Sequence, residues 1–159
     1  MVFHRDVVID EGIYLYAGKL VAAGKIPYID FVHSQGPFFP VIYGIFNLVF
    51  GQDIYTNRII TAILSLLGLI FLGKVAKNIG GSKTELVYYL FCVTSIYSLT
   101  HYVVVTTYGI TIFFLYFAFF LAICKNKPIL SYVVLLVASA VRLSAISVIP
   151  ILVFYLVYR

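Results

Sequence analysis

The stretch YTNRIITAILSLLGLIFLGKVAKNI (residues 55–79) decides which fold this sequence can adopt. Its interior is uncharged between Arg58 near the start and Lys74 and Lys77 at the end. A helix needs about 20 consecutive, mostly apolar residues to cross the hydrocarbon core of a bilayer. The stretch is long enough, so it predicts a membrane-spanning helix with basic residues near both ends.

The composition of the whole chain agrees with a membrane environment. Of its 159 residues, 63% are hydrophobic and 11% are charged, and the mean hydropathy is +1.07. Soluble domains average about 25% charged residues. The net charge of +5 is not gathered into one patch, because most lysines stand between apolar runs, as in membrane loops. We therefore expect a multi-pass protein of the cell membrane, and no nucleic-acid partner.

Further apolar runs follow the first one. Residues 86–124 are roughly twice as long as one span, and their polar middle predicts the turn of a helical hairpin at residues 100–107. Residues 129–158 predict a last span, with Arg142 inside it and a kink at Pro150. The expected fold is all-α, a polytopic membrane helix bundle over residues 55–159. It has about four transmembrane helices, near 55–79, 86–100, 107–124 and 129–158.

Residues 1–54 are predicted to form an external segment with two juxtamembrane helices. The second helix starts at Pro37, covers residues 37–50 and is ended by Gly51. At 1.5 Å per residue it is roughly 21 Å long, which is short of the hydrocarbon thickness. If both lysine-bearing loops are cytoplasmic and this helix does not cross, the N-terminal segment lies outside the cell. If the helix does cross, that segment is cytoplasmic; the short length favours the external placement.

The first juxtamembrane helix carries an acidic pair, Asp10 and Glu11. Asp10 before a helix fits a structural N-cap, but Glu11 adds a second carboxylate where one cap would suffice. Helical spacing after the pair predicts one apolar face, made of Ile13, Tyr16, Ala17 and Leu20. After this helix the sequence contains a polar cluster next to apolar residues. The cluster consists of Asp30, His33 and Gln35.

Three motifs in this segment together resemble a known family. They are DEGIYLYAG (residues 10–18), GKIPYIDF (24–31) and HSQGPFFPVIYGIFNLVFG (33–51), followed by the arginine that opens the next span. The combination is similar to polytopic glycosyltransferases with the GT-C fold, of the protein O-mannosyltransferase and aminoarabinose-transferase-like kind. Those enzymes take a sugar from a polyprenyl-phosphate carrier. The resemblance covers residues 8 to about 80, and the remainder matches only as a hydrophobic pattern.

The resemblance implies a reaction and assigns roles in it. Asp10 matches the catalytic acid of the family and would take the proton of the acceptor hydroxyl, with Glu11 tuning or orienting it. Tyr28 and Asp30 would contact the sugar or the acceptor. Two adjacent carboxylates are too few to argue for a divalent cation, so a cation is only an optional cofactor and no metal site is assigned.

The donor phosphate is expected to meet cationic and polar side chains. The resemblance places His33, Gln35 and Arg58 near that phosphate, where positive charge would stabilise it as it leaves. Arg142 is a separate indication, because an arginine inside a span is costly and usually faces a polar site. The expected partners are the bilayer, a polyprenyl-phosphate-linked sugar and an acceptor of unknown class.

Two departures from the family keep a second class of function open. Relatives carry a spanning helix just before the acidic pair, so the chain is expected to be an N-terminal portion that lacks this first helix. Many relatives also carry a second acidic residue where Tyr108 stands. The alternative is a non-catalytic or degenerate membrane subunit, or one half of a split enzyme whose missing helices come from a second membrane chain.

Overall fold

The structure is a computed structural model that describes residues 9–95 and 102–157. In this part of the chain all regular structure is helical, so the predicted all-α class is confirmed. The α-helices are α1 Ile9–Ala22, α2 Phe38–Phe50, α3 Ile54–Thr94, α4 Thr107–Ile123, α5 Pro128–Val141 and α6 Ile149–Val157. A 3-10 helix, Leu143–Val148, joins the last two.

The long helix α3 consists of two helices that meet at Gly81. Gly81 has φ 77° and ψ −174°, a backbone conformation that is essentially restricted to glycine. The side chain of Tyr89 packs against Gly73, although 16 residues of straight helix would separate them by about 24 Å. Lys77 and Glu85 form an ion pair of 3.2 Å across the bend. The chain therefore turns back on itself at Gly81, between the predicted runs 55–79 and 86–100.

Helix length separates α3 from the other apolar helices. Despite its bend at Gly81, Ile54–Thr94 contains the one helical stretch in residues 9–95 and 102–157 that is both long and apolar enough to cross a membrane. The helices α2, α4 and α5 are apolar but shorter than a full span. Length and composition thus identify one candidate spanning helix, compared with about four in the sequence prediction. Of the predicted turn at residues 100–107, Thr100 and His101 lie outside the described residues.

The helical bundle is held together by close packing of α3, α4 and α5. Gly68 of α3 lies against the backbone of Phe113, where a Cβ would come within 3.0 Å of the Phe113 Cα. Small residues, Ala118 and Ala138 among them, are buried between α4 and α5. The Ser131 hydroxyl donates to the Ala118 carbonyl over 2.7 Å. Small side chains let these backbones approach closely, which is the usual way in which apolar helices associate in membranes.

Helices α1 and α2 form a separate tight pair. Gly18 of α1 lies against Tyr43, and Gly44 of α2 lies against Val21. The bounds of α2 agree with the prediction: it begins after Pro37 and stops at Gly51, whose φ is 89°. Its length of about 20 Å at 1.5 Å per residue is that of the predicted short helix.

The buried face of α1 differs from the predicted one. Glu11, Leu15, Ala17 and Gly18 are buried, whereas Ile13 and Tyr16 are 54% and 63% exposed. The prediction was right for Ala17 and wrong for Ile13 and Tyr16, because it followed the helical spacing of apolar residues alone. The inward face is instead fixed by the ion pair of Glu11 and by the small Gly18 at the contact with α2.

The predicted last span, residues 129–158, is interrupted. The helix α5 ends at Val141, and Arg142 has extended φ and ψ of −143° and 116°. The break therefore lies at Arg142 and not at Pro150, where the kink was predicted. Pro150 is the second residue of α6, where a missing N–H removes no helical hydrogen bond.

The two lysine-bearing connections lie at the same end of the bundle. The Cys124 thiol contacts the Lys74 carbonyl over 3.6 Å, and Phe120 stacks on Phe71 just beside them. The opposite end holds the starts of α3 and α4 and the end of α5. At that end Glu11 of α1 pairs with Arg58 of α3, and Tyr14 of α1 has a hydrogen bond with Thr107 of α4.

Candidate functional site

The acidic pair on α1 is divided between two environments. Glu11 is fully buried, whereas Asp10 is exposed. The helix α1 begins at Ile9, so Asp10 lies inside its first turn and not before it, and the N-cap interpretation is wrong. A carboxylate in the first turn still interacts favourably with the positive end of the helix dipole.

Glu11 and Arg58 form a bidentate ion pair. The Arg58 Nε donates to Glu11 Oε1 over 2.8 Å, and Nη2 donates to Oε2 over 2.7 Å. The backbone N–H of Val105 also donates to Oε1 over 3.2 Å. Both side chains are at most 2% exposed. The pair therefore ties α1 to the start of α3 and to the segment before α4. The contact of Arg58 with the donor phosphate stays a prediction.

Arg142 lies in a different kind of environment, because its partners are neutral. Its Nε donates to the Ser144 hydroxyl over 2.9 Å, Nη1 to Thr107 over 2.8 Å and Nη2 to Tyr108 over 3.2 Å. The guanidinium also lies over the Tyr108 ring, 4.0 Å from its centroid. Within residues 9–95 and 102–157, Arg142 forms no ion pair with a carboxylate. Its positive charge is therefore held in place by neutral groups, and no carboxylate of the described residues contacts it.

An apolar cavity adjoins this guanidinium. Its volume is about 250 Å³, and its lining includes the polar side chains of Tyr108, Arg142 and Ser144. The remaining lining is mainly apolar and comes from α4 and the 3-10 helix, namely Thr111, Ile112, Leu115, Ala145 and Val148. The cavity thus combines one fixed positive charge with an apolar wall.

The Tyr14 hydroxyl interacts electrostatically with both Asp10 and Arg142. Burial raises the pKa of its phenol, and the Asp10 carboxylate raises it further. A hydrogen bond with Thr107 and the positive charge of Arg142 act in the opposite direction. Asp10 and Arg142 therefore both lie within electrostatic reach of one hydroxyl, although they belong to helix ends 132 residues apart in the sequence.

The predicted sugar-contacting residues hold together the loop between α1 and α2. The Asp30 carboxylate accepts the Ile26 N–H over 2.7 Å, and the Tyr28 hydroxyl donates to the Gln35 carbonyl. These contacts are internal to the loop. The structure thus gives Tyr28, Asp30 and Gln35 a structural role, and their roles as ligand contacts remain predictions.

His33 packs against three aromatic side chains of α1, α2 and the loop between them. Its ring stacks on Phe39 at 6.3 Å and meets the edges of Tyr14 and Tyr28. The side chain is buried, and neither ring nitrogen has a hydrogen-bond partner among the described residues. Burial lowers its pKa below the usual value, so the ring is neutral at pH 7. A neutral, enclosed ring is a poor phosphate ligand, so the predicted contact would require this loop to open.

Sequence reasoning missed Tyr14, Thr107 and Ser144 as members of the site. A signal for Tyr14 existed, because residues four apart in a helix share a face and Tyr14 follows Asp10 by four. Ser144 could have been suspected from its position just after an arginine inside an apolar run. No group of three metal-ligating side chains occurs among residues 9–95 and 102–157.

The three comparisons with known proteins give no relative on which to base a function. No protein-family model, no curated protein and no solved structure matches this chain.

Proposed function

We propose that this protein is a membrane glycosyltransferase that transfers a sugar from a polyprenyl-phosphate carrier to an acceptor hydroxyl at the external membrane face. The motif resemblance in residues 10–51 suggests the class. The observation that carries the proposal is the contrast between the two arginines at the site. Arg58 is neutralised by Glu11, whereas Arg142 is fixed by three hydroxyls beside an apolar cavity.

An arginine held in this way is suited to a lipid phosphate. Three of its N–H groups are oriented by neutral acceptors, so binding an anion does not require an existing ion pair to break. The apolar wall of the cavity suits the first units of a hydrocarbon carrier, which a free sugar phosphate lacks. A water-soluble phosphate would gain nothing from that wall, because the hydrophobic contribution depends on the apolar area removed from water.

Asp10 supplies the complementary chemistry. Its exposed carboxylate takes the proton of the acceptor hydroxyl while the acceptor oxygen forms a bond to the anomeric carbon of the sugar. The bond between that carbon and the phosphate oxygen breaks, and the phosphate leaves with the electron pair. Arg142 stabilises the negative charge that collects on the departing phosphate. Glu11, fully engaged with Arg58 and Val105, acts as a positioning residue that holds the helix of Asp10.

The same proposal requires a multi-pass arrangement. The hairpin of α3 and the apolar helices α4 and α5 pack as one bundle, and their lysine-bearing connections share one end. Placing that end in the cytoplasm follows the positive-inside rule. Asp10 and Arg142 then face the outer leaflet, where a flipped polyprenyl-phosphate sugar is available. Shorter helices remain compatible with this arrangement because flanking residues and bilayer thinning can make up the missing length.

Sugar transfer from a labelled polyprenyl-phosphate sugar is the direct test, measured in membranes that contain the full chain. Asp10→Asn is expected to lower the initial rate by about 10²- to 10⁴-fold, the usual contribution of a general base. Asp53→Asn is the matched control, because it also converts an exposed carboxylate to an amide. Asp53 is the N-cap of α3, and asparagine caps helices equally well. The absence of transfer by the wild-type chain, or an unchanged rate for Asp10→Asn, contradicts the proposal and favours a non-catalytic subunit.

A further inference from the structure

The loop between α1 and α2 exposes apolar side chains at its tip. Val32 is 98% exposed and Ile29 is 78% exposed, and Ile26 and Tyr28 each expose more than half of their surface. Single exposed apolar residues are common on proteins, but a contiguous apolar patch usually marks an interaction surface. Here four such residues fall within seven positions of the chain.

This loop is held in one conformation by its own hydrogen bonds. Asp30 accepts the Ile26 N–H with its carboxylate and donates its own N–H to the Ile26 carbonyl over 2.9 Å. The Tyr28 N–H donates to Phe31 over 2.9 Å, with Tyr28 at a φ of 67°. A non-glycine residue with positive φ is unfavourable and persists only where the surroundings enforce it. The apolar tip is therefore maintained in an outward orientation, because these contacts prevent it from collapsing onto the protein.

The apolar exposure continues along α2. Its outer face carries residues at helical spacing that are all exposed, namely Phe38, Val41, Ile45, Leu48 and Val49. The opposite face packs on the rest of the protein. Four residues after α2 ends, α3 begins and presents further exposed apolar side chains, including Ile59, Ile63 and Leu66. The loop, α2 and the helix long enough to cross a membrane thus expose apolar side chains in succession.

Two features indicate that this surface meets lipid. Two exposed lysines, Lys19 on α1 and Lys25 just before the tip, precede the loop, and cations beside an apolar patch attract anionic headgroups. Tyr28 is exposed in the loop and Tyr16 is exposed on α1, and tyrosine is enriched at the boundary between headgroups and hydrocarbon. We propose that the tip of this loop, residues 26–32, inserts into the bilayer interface and, with the outer face of α2, docks the α1–α2 pair on lipid. The inference does not require the proposed sugar transfer.

The chain contains no tryptophan, so one introduced tryptophan reports on one position. The experiment uses the full chain at one copy per nanodisc, with phosphatidylcholine and phosphatidylglycerol that carry bromine on the acyl chains. Ile29→Trp and Val32→Trp are expected to show blue-shifted emission and strong quenching by the brominated lipid. Leu66→Trp, on the exposed face of α3, serves as the deep reference, and Lys83→Trp, in the turn at Gly81, as the reference outside the hydrocarbon.

Quenching at positions 29 and 32 that is no greater than at Lys83→Trp overturns the proposal. Blue-shifted emission that the brominated lipid does not quench also overturns it, because the tip would then be covered by protein. Quenching close to that of Leu66→Trp supports it. Two independent tip positions guard against a local distortion by one tryptophan, and circular dichroism of each variant shows whether the fold is retained.

Discussion

The buried ion pair between Glu11 and Arg58 gives the sharpest stability prediction. Glu11→Gln keeps the size of the side chain but places an amide NH₂ against the Arg58 guanidinium, where Oε2 accepted a bond of 2.7 Å. Removing one partner of a buried ion pair typically costs about 3–5 kcal/mol. At about 2–4 °C per kcal/mol for a chain of this size, the expected fall in Tm is roughly 6–20 °C.

The neighbouring residue supplies the control. Asp10→Asn makes the same chemical change one residue earlier, on an exposed side chain, and is expected to change the free energy of unfolding by about 0.5 kcal/mol or less. The assay is thermal unfolding in detergent micelles, followed by circular dichroism. A double-mutant cycle of Glu11→Gln with Arg58→Met should give a coupling energy of about 1–3 kcal/mol. Equal effects of Glu11→Gln and Asp10→Asn, or no coupling, would refute the reasoning.

Further predictions concern the backbone and the buried histidine. Gly36→Ala should lower Tm, because its Cβ would lie 1.9 Å from the Ala140 carbonyl oxygen; Ser34→Ala, on an exposed residue of the same loop, should leave Tm unchanged. Gly81→Ala should cost about 1–3 kcal/mol of unfolding free energy, because only glycine favours its backbone conformation. Burial lowers the pKa of His33 in the folded state, so the unfolded state binds more protons and stability falls as pH drops through about 6.5, the unfolded value. Tm measured from pH 8 to pH 5 should therefore fall less in His33→Asn than in the wild type.

Local patterns in the sequence predict much of the fold. The long run at residues 55–79 predicts the apolar helix that is long enough to cross a membrane, and Pro37 and Gly51 predict the bounds of α2. These features depend on neighbouring residues alone, through the length of an apolar run or the dihedral limits of proline and glycine.

The site depends on contacts that no local pattern encodes. Glu11 and Arg58 are 47 residues apart, and their pairing turns a polar residue of α1 inward against the hydrophobic periodicity. Arg142 was predicted to lie inside a continuous span, but the helix ends just before it: its backbone is extended, and its side chain donates hydrogen bonds to Ser144 and Thr107. Proline suggested a kink at position 150, although the first turn of a helix tolerates it.

The central claim is that Arg142 binds the phosphate of a lipid carrier, and the affinity for polyprenyl monophosphate tests it most directly. The full chain in detergent should bind this lipid more tightly than the neutral polyprenol, and Arg142→Lys should retain part of the preference. Arg142→Gln should weaken phosphate binding by about 10- to 150-fold, the equivalent of one hydrogen bond to a charged group. Lys127→Gln, at the exposed opposite end of the bundle, should not change it. Equal affinity for the phosphate and the polyprenol, or no loss in Arg142→Gln, would contradict the account.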